Sequence, residues 1–241
     1  MKKKAFNIAN ETDYDFWWYN GRRSLFLNFL KKYTFSNSKI VDLGCSAGIN
    51  LKMLKKNGYK KFIGVDNNLT AISLCKKEGF KNVKRADLCN LPFKNSSVDF
   101  VLATDVIEHI KDDFKAVSEI KRILTLGSRA IITVPAFNFL WSRDDDIAQH
   151  KRRYTKKVLL NLLQKNGFKI EEVFYFNYIL FIPIIITRII LKILRVRYRI
   201  GNDVNSNFVN SILKKIFTFD VFSSRIIKPF FGVSICALVK K

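Results

Sequence analysis

Ten residues, Lys39-Ile-Val-Asp-Leu-Gly-Cys-Ser-Ala-Gly48, constrain the fold more than any other part of the chain. Ile40, Val41 and Leu43 form a run short enough to be a buried strand, and Gly44 and Gly48 give the backbone freedom for a tight turn that approaches a ligand closely. A helix starting near Ile49 then points its free amide groups at a bound anion. About 20 residues further on, Phe62-Ile-Gly-Val-Asp66 closes a second strand with a carboxylate, the position from which an acidic side chain takes ribose hydroxyls, and Asn67 follows it. Asp87, in Ala86-Asp87-Leu88, closes a third strand, where it is placed to read an adenine amino group. Polar groups at successive strand ends fit an open parallel sheet with a nucleotide-type ligand lying across its edge.

Strand and helix signals alternate from Lys39 to about Phe176, the pattern of βα units. Strands are expected over 39–43, 61–65, 82–86, 98–103, 129–134, 169–176 and 233–239, and helices over 49–57, 68–78, 112–124 and 155–166. In the first of these helices Leu51 and Leu54 mark the apolar side, Lys52, Lys55 and Lys56 the wet side, and Asn57-Gly58 the stop. The expected fold is α/β, a seven-stranded mostly parallel sheet with helices on both faces. Residues 1–38 form an N-terminal cap, 39–177 with 231–241 the core, and 178–230 a helical insertion before the last strand.

The 43 Lys and Arg against 20 Asp and Glu give a net charge of +23, so an anionic partner has to be considered, nucleic acid or anionic lipid. Cys45, Cys75, Cys89 and Cys236 make no C-x-x-C pair, which points to reduced thiols in a cytoplasmic compartment rather than to a zinc site. Lys2, Lys3 and Lys4 are followed by Asn7, Asn10, Glu11 and Asp13 where a secretion signal would be apolar. In the insertion, the apolar run 178–187 is interrupted by Pro183 and is shorter than the roughly 20 residues that span a bilayer. Arg188, Lys192, Arg195 and Arg199 then recur opposite Ile189, Ile190, Ile193 and Leu194. Such a helix suits the interface of an anionic membrane, on the cytoplasmic face, or else covers the domain with its charges solvated.

The fourth strand runs into Thr104-Asp105-Val-Ile-Glu108-His109, at the carboxyl edge where ligands bind in such sheets. If 105–109 begins a helix, Asp105, Glu108 and His109 share one face and admit Mg²⁺. The oxygen preference of that ion argues against it, and no metal is assigned. Beyond the fifth strand, a loop carries Phe137, Phe139, Trp141, Asp144-Asp145-Asp146 and His150-Lys-Arg152-Arg153-Tyr154. Long loops at this edge form substrate walls, so Trp141, His109, Arg153 and Tyr154 are candidate acceptor contacts. His150 is a candidate general base and Asp105 a second catalytic candidate, although His150 is equally placed to pair with the acidic run and order the loop. Asp15-Phe-Trp17-Trp18-Tyr19-Asn-Gly-Arg22-Arg23 reads as a lid with Arg22 or Arg23 on a ligand carboxylate, or as packing alone.

A nicotinamide-binding turn requires G-x-G-x-x-G, and from Gly44 this chain offers Ser46 and Ile49 at the second and third positions. The G-x-G-x-G turn of class I S-adenosylmethionine-dependent methyltransferases fits better, with Asp42 two residues ahead and Ser46 the one departure. The chain resembles the type 11 group of that class, which includes enzymes of quinone and polyketide-like small-molecule methylation. The likeness covers nearly the whole chain and rests on V-D-L-G-C-S-A-G (41–48), G-V-D (64–66), A-D-L (86–88), D-V-I-E-H (105–109) and H-K-R-R-Y-T-K-K-V-L-L-N-L-L-Q-K-N-G-F (150–168). The aromatic start before Arg22-Arg23 and the closing stretch Pro229 to Ser234 are similar too. The resemblance implies a Rossmann-like fold, S-adenosylmethionine as cofactor, and a pocket lined by Asp42, Gly44, Ser46, Gly48, Asp66, Asn67, Asp87, Leu88, Thr104 and Arg22. D-V-I-E-H also looks like the E-x-x-E-H metal segment of membrane-bound polyprenyl catechol O-methyltransferases, with Asp105 in place of the first Glu.

The expected function is methyl transfer, at oxygen, to a small lipid-like or lipid-linked acceptor, by in-line placement that does not demand a strong base. Two alternatives stand beside it. RNA methylation draws on the charge of +23, against which the chain lacks an (N/D/S)-P-P-(Y/F) element after its fourth strand. A cofactor-binding domain without turnover draws on Ser46. No oligomeric state is implied.

Overall fold

The computed structural model describes residues 14–194 and 207–241. Helix α1 (Trp17–Tyr33) precedes β1 (Lys39–Leu43), α2 (Ile49–Lys56), β2 (Lys61–Asp66), α3 (Leu69–Lys77), β3 (Val83–Arg85) and β4 (Val98–Thr104). Then follow α4 (Asp113–Ile123), β5 (Leu124–Pro135), α5 (Arg143–Ala148), α6 (Lys156–Lys165), β6 (Lys169–Phe176), α7 (Phe181–Ile193), α8 (Asn207–Ile227) and β7 (Ser234–Lys240). The sheet order is β3-β2-β1-β4-β5-β7-β6, with β7 antiparallel to both neighbours and every other pairing parallel. The chain reverses its direction of growth between β1 and β4, the crevice where an open α/β sheet receives a ligand.

Strand periodicity sorts the core into two layers. Val41, Leu43, Val101, Ala103, Ile132 and Val134 face α4 and α6 through Val117, Ile120, Leu159 and Leu163. Ile40, Phe100, Leu102, Ile131, Phe174 and Phe176 face α1 and α8 through Leu25, Phe26, Phe29, Phe217 and Val221. Local signals place the helices: Asn68, Asp112 and Thr155 cap α3, α4 and α6 by accepting from the amides of Thr70, Lys115 and Val158. The cap and the insertion meet directly. Trp18 stacks on Phe217 at 4.9 Å, the Trp17 amide donates to Asn210 Oδ1 at 2.9 Å, and a Cβ on Gly21 would sit 2.5 Å from the Phe217 ring.

Three expectations shift. β5 starts at Leu124, not 129, because Leu124–Ser128, whose Gly127 lies at φ +82°, stays in the strand instead of forming a loop. β3 ends at Arg85, which leaves Asp87 in a turn that bridges to Asn90. Pro183 does not interrupt the apolar run, since α7 begins at Phe181 and a proline in a first turn withdraws no helical hydrogen bond. Of the expected basic stripe of that helix, only the Arg188 side chain is described. Arg188 is half-buried and its Nη1 donates to the Leu140 carbonyl, while Ile182, Ile186, Ile189, Ile190, Ile193 and Leu194 are exposed. Arg195 and Arg199, the side chain of Lys192, and Lys2 to Asp13 lie outside the described residues. Among the described residues no helix is long and apolar enough to cross a membrane.

Candidate active site

The turn after β1 is built as its glycines require. Gly44 (φ +71°) and Gly48 (φ +85°) are left-handed, and so is Ser46 at φ +47°. A Cβ on Gly44 would lie 2.6 Å from Val106 Cγ2, so the loop and the segment after β4 touch without room for a methyl group. The amides of Gly44 and Cys45 both donate to the Val65 carbonyl, at 2.8 and 3.0 Å, which ties the turn to β2. Ser46 completes the tie by donating its amide to Asp66 Oδ2 at 3.0 Å, while Asn68 donates to Oδ1 at 2.8 Å. Two amides therefore hold Asp66 in place at the end of β2. Burial raises its carboxyl above the usual range, and those amides work against the rise.

Asp42 is buried at the end of β1, beside Gly64 of β2 and Leu102 of β4. Its Oδ1 accepts from Asn50 Nδ2 at 3.0 Å, and that same nitrogen lies 3.3 Å from Thr104 Oγ1. Oδ2 has no partner. Burial pushes the carboxyl up to about 7, with the Asn50 bond acting the other way. A buried acceptor left open at a ligand edge fits a cationic group. Asn50 was not anticipated; a polar residue in the first turn of the helix that follows the glycine turn is its one sequence signal.

The adenine side is more open. Asp87 is exposed and accepts from the Cys89 amide at 2.9 Å, and Asn67 is exposed beside it. Leu88 is buried in the core, so only its backbone can face a ligand.

At the end of β4 the expected helix over 105–109 does not form. Asp105 is left-handed (φ +52°), and only Ile107–His109 makes a single 3₁₀ turn. Asp105 instead binds Arg22 and Thr133, while its charge still acts on Glu108 and His109. Arg22 Nη1 donates to Asp105 Oδ2, Arg22 Nη2 to Thr133 Oγ1 at 2.9 Å, and Thr133 Oγ1 to Asp105 Oδ1 at 3.0 Å. Arg22, expected on a ligand carboxylate, is thus buried against a protein one, although its Nε has no partner.

In place of Asp105, His150 joins Glu108 and His109. One ligand atom from each of the three lies within 4.8 Å of the others, and the imidazole centroids are 4.7 Å apart. His150 Nδ1 bonds Asp145 Oδ1 at 2.8 Å, as the pairing with the acidic run required, and its Nε2 faces Glu108 Oε1 at 3.9 Å. Burial raises the Glu108 carboxyl well above its usual range, while burial and then the neighbouring His150 lower His109 to about 4.

Arg153 and Tyr154, candidate acceptor contacts, are committed to the fold. Arg153 forks onto Asp145 at 2.8 and 3.0 Å and donates to the Ala136 carbonyl at 2.9 Å; Tyr154 donates to Asp113 at 2.7 Å, and both side chains are buried. The loop's exposed aromatics are Trp141, whose Nε1 donates to Asp146 at 2.9 Å, and Phe139. Phe137 stacks on Phe139 and on Tyr175, with centroids 5.2 and 5.1 Å apart, and Phe181 of α7 approaches both loop aromatics. The loop that carries this aromatic wall also carries His150.

Residues 41–132 match the family model described as a methyltransferase domain. A probable S-adenosylmethionine-dependent methyltransferase of Mycolicibacterium smegmatis is 27% identical over 136 residues, 55% of this chain and 52% of that protein. A probable tRNA methyltransferase 9B of Mus musculus is 27% identical over 126 residues, 51% of this chain and 25% of that protein. The chain thus spans about half the length, or less, of these curated relatives. The solved SAM-dependent methyltransferase of Archaeoglobus fulgidus superposes with a TM-score of 0.58 at 20% identity, covering 91% of this chain and 94% of that one.

Proposed function

Because the chain belongs to the class I S-adenosylmethionine-dependent methyltransferases, we propose that it methylates an oxygen of a small, lipid-like or lipid-linked acceptor at a membrane face. One observation carries this reading. α7 packs Phe181, Ile184 and Ile185 against Leu140 and Phe137 of the acceptor wall, while its opposite face exposes Ile182, Ile186, Ile189, Ile190 and Ile193. Exposed apolar surface of that extent, with Phe231 set 5.0 Å from Phe181 and Phe230 exposed in the same turn after α8, marks a binding surface. A net charge of +23 favours an anionic bilayer as what it meets.

The residues at the strand ends fit the cofactor. Asp42, with its unpartnered Oδ2, and Thr104 would face the methionine end, Asp66 the ribose hydroxyls and Asp87 the adenine amino group. Bound there, S-adenosylmethionine supplies an electrophilic methyl group. The protein's part is placement and exclusion of water. Phe137 and Phe139 offer flat apolar contact to the acceptor, and the Glu108–His109–His150 cluster borders the place of its reacting oxygen. Asp105, neutralised by Arg22, holds the lid helix α1 to the strand ends rather than acting on a proton.

Incubation with methyl-labelled cofactor and fractionated cell extract tests the reaction, with label expected in the lipid fraction. Flotation with anionic vesicles tests the surface: the wild type floats, and Ile189→Glu with Ile190→Glu does not while melting as before. Label in RNA instead would favour the second reading, which draws on the same charge and on the relative named for tRNA. Failure to float would remove the membrane.

A further inference from the structure

The chain contains two histidines in 241 residues, and the fold brings both to one carboxylate. Glu108 is fully buried, and neither of its oxygens has a hydrogen-bond partner. A carboxyl in that state has lost its hydration without recovering a donor, which costs several kcal/mol unless a cation or proton meets it. Its neighbours here cannot donate well enough to settle it: His150 Nε2 stands 3.9 Å away, beyond hydrogen-bond range.

Both imidazoles are held as metal ligands are. His150 is fixed through Nδ1 by Asp145, itself gripped by Arg153 and by the Ser142 amide at 2.7 Å, so its Nε2 is directed into the cluster. His109 is fixed by a hydrogen bond to the Ala148 backbone, which occupies one ring nitrogen and leaves the other. A carboxylate or carbonyl behind each ligating histidine is the usual support of such sites. The Lys151 amide donates to the Glu108 carbonyl at 2.9 Å and the His150 amide to the Asp145 carbonyl at 2.9 Å, so the two segments are laced together around the cluster.

We propose that Glu108, His109 and His150 form a binding site for a divalent transition-metal ion. Two imidazoles and one carboxylate suit zinc, iron(II), cobalt or manganese and are a poor set for magnesium or calcium. The ligand atoms lie within 4.8 Å of one another, so a small inward turn of the two rings brings them to about 2.0–2.2 Å from a shared ion. Three protein ligands leave coordination open, and both histidines are only half-buried, so the free position can be reached from outside the core. Its occupant, resting on the methyl-transfer reading, is the acceptor's hydroxyl oxygen. The ion lowers that hydroxyl's pKa, and its proton leaves to solvent. The oxygen then attacks the methyl carbon, and the carbon–sulfur bond breaks with its electron pair remaining on sulfur. Asp105 has no part in the site.

The test uses the tag-free chain, stripped with chelator and titrated with Co²⁺ and Zn²⁺ by calorimetry and visible spectroscopy. One ion of each per chain is expected, with ligand-field bands for cobalt. Glu108→Gln and His150→Asn should abolish binding, and Asp145→Asn should weaken it about 10–100-fold. With no variant at all, Zn²⁺ should protect both histidines of the wild type from acylation by diethylpyrocarbonate, a readout that stands even where a variant fails to fold. A wild type that takes up neither ion, or equal acylation with and without Zn²⁺, overturns the site. None of these measurements needs turnover. Metal uptake in a protein that binds no S-adenosylmethionine would leave the site standing and remove the acceptor's role.

Discussion

Replacing Asp42 by Asn exchanges one oxygen for an amide nitrogen and takes one negative charge from the buried end of β1. The bond from Asn50 Nδ2 to Oδ1 survives the change, so the packing is conserved. In the wild type, burial raises the carboxyl from 3.8 to about 7. The folded chain therefore keeps a proton that the unfolded chain has released. That contribution to stability is complete below pH 3.8 and is lost as pH rises through about 7. A difference of about 3 pH units at about 1.4 kcal/mol each amounts to about 4 kcal/mol, an upper figure for one site. At roughly 2–4 °C per kcal/mol for a chain of this size, the wild type should lose on the order of 10 °C relative to Asp42→Asn between about pH 4 and about 8. Melting curves of both proteins across that range measure it. Ligand binding should show the converse, because a cation beside Oδ2 favours the ionised carboxyl. S-adenosylmethionine should bind the wild type more tightly as pH rises toward about 7, releasing a proton, and should protect Asp42→Asn little at any pH. Parallel melting profiles for the two proteins would refute the burial effect, and equal cofactor affinity would refute the placement of Asp42.

Asp66→Ala removes the acceptor for the Ser46 and Asn68 amides and, on the proposed placement of the cofactor, for its ribose pair. At about 1.5–3 kcal/mol per charged hydrogen bond, cofactor affinity should fall by at least about tenfold in calorimetry, and an unchanged value would displace the ribose from β2. Gly44→Ala places a Cβ 2.6 Å from Val106 at φ +71° and should destabilise the fold by about 1–3 kcal/mol in urea. Adding Val106→Ala should restore the steric part only, leaving the cost of the left-handed backbone; complete recovery would mean that backbone conformation carries no penalty.

The sheet was legible because its information is local. Val, Ile and Leu runs, glycine stops and Asn, Asp or Thr caps each act within a few residues, and the acidic end of β2 at Asp66 follows from counting along them, whereas Asp87 falls in the turn beyond β3. The site's second half was not, because its partners come from distant segments. Nothing near Asp105 announces that Arg22 of α1 and Thr133 of β5 will claim it, or that its backbone will be left-handed. Arg153 and Tyr154 look like anion binders in the string His-Lys-Arg-Arg-Tyr, yet Asp145, Ala136 and Asp113 take up their polar groups inside the fold. The fully buried state of Glu108 leaves no trace in sequence, since its position beside His109 reads as a helix start.

The contact between Gly21 and Phe217 joins the two parts of the chain that flank the core. α8 leans on one side of α1, and from the same helix Arg22 reaches down to Asp105 and Thr133 at the strand ends. α1 thus works as a splint: whatever displaces α8 from outside pulls on the side chain that closes the reaction edge. A protein shortened ahead of residue 24 would lose that connection, leaving α8 seated only on Leu25, Phe26, Phe29 and β6, and Asp105 without its counter-charge.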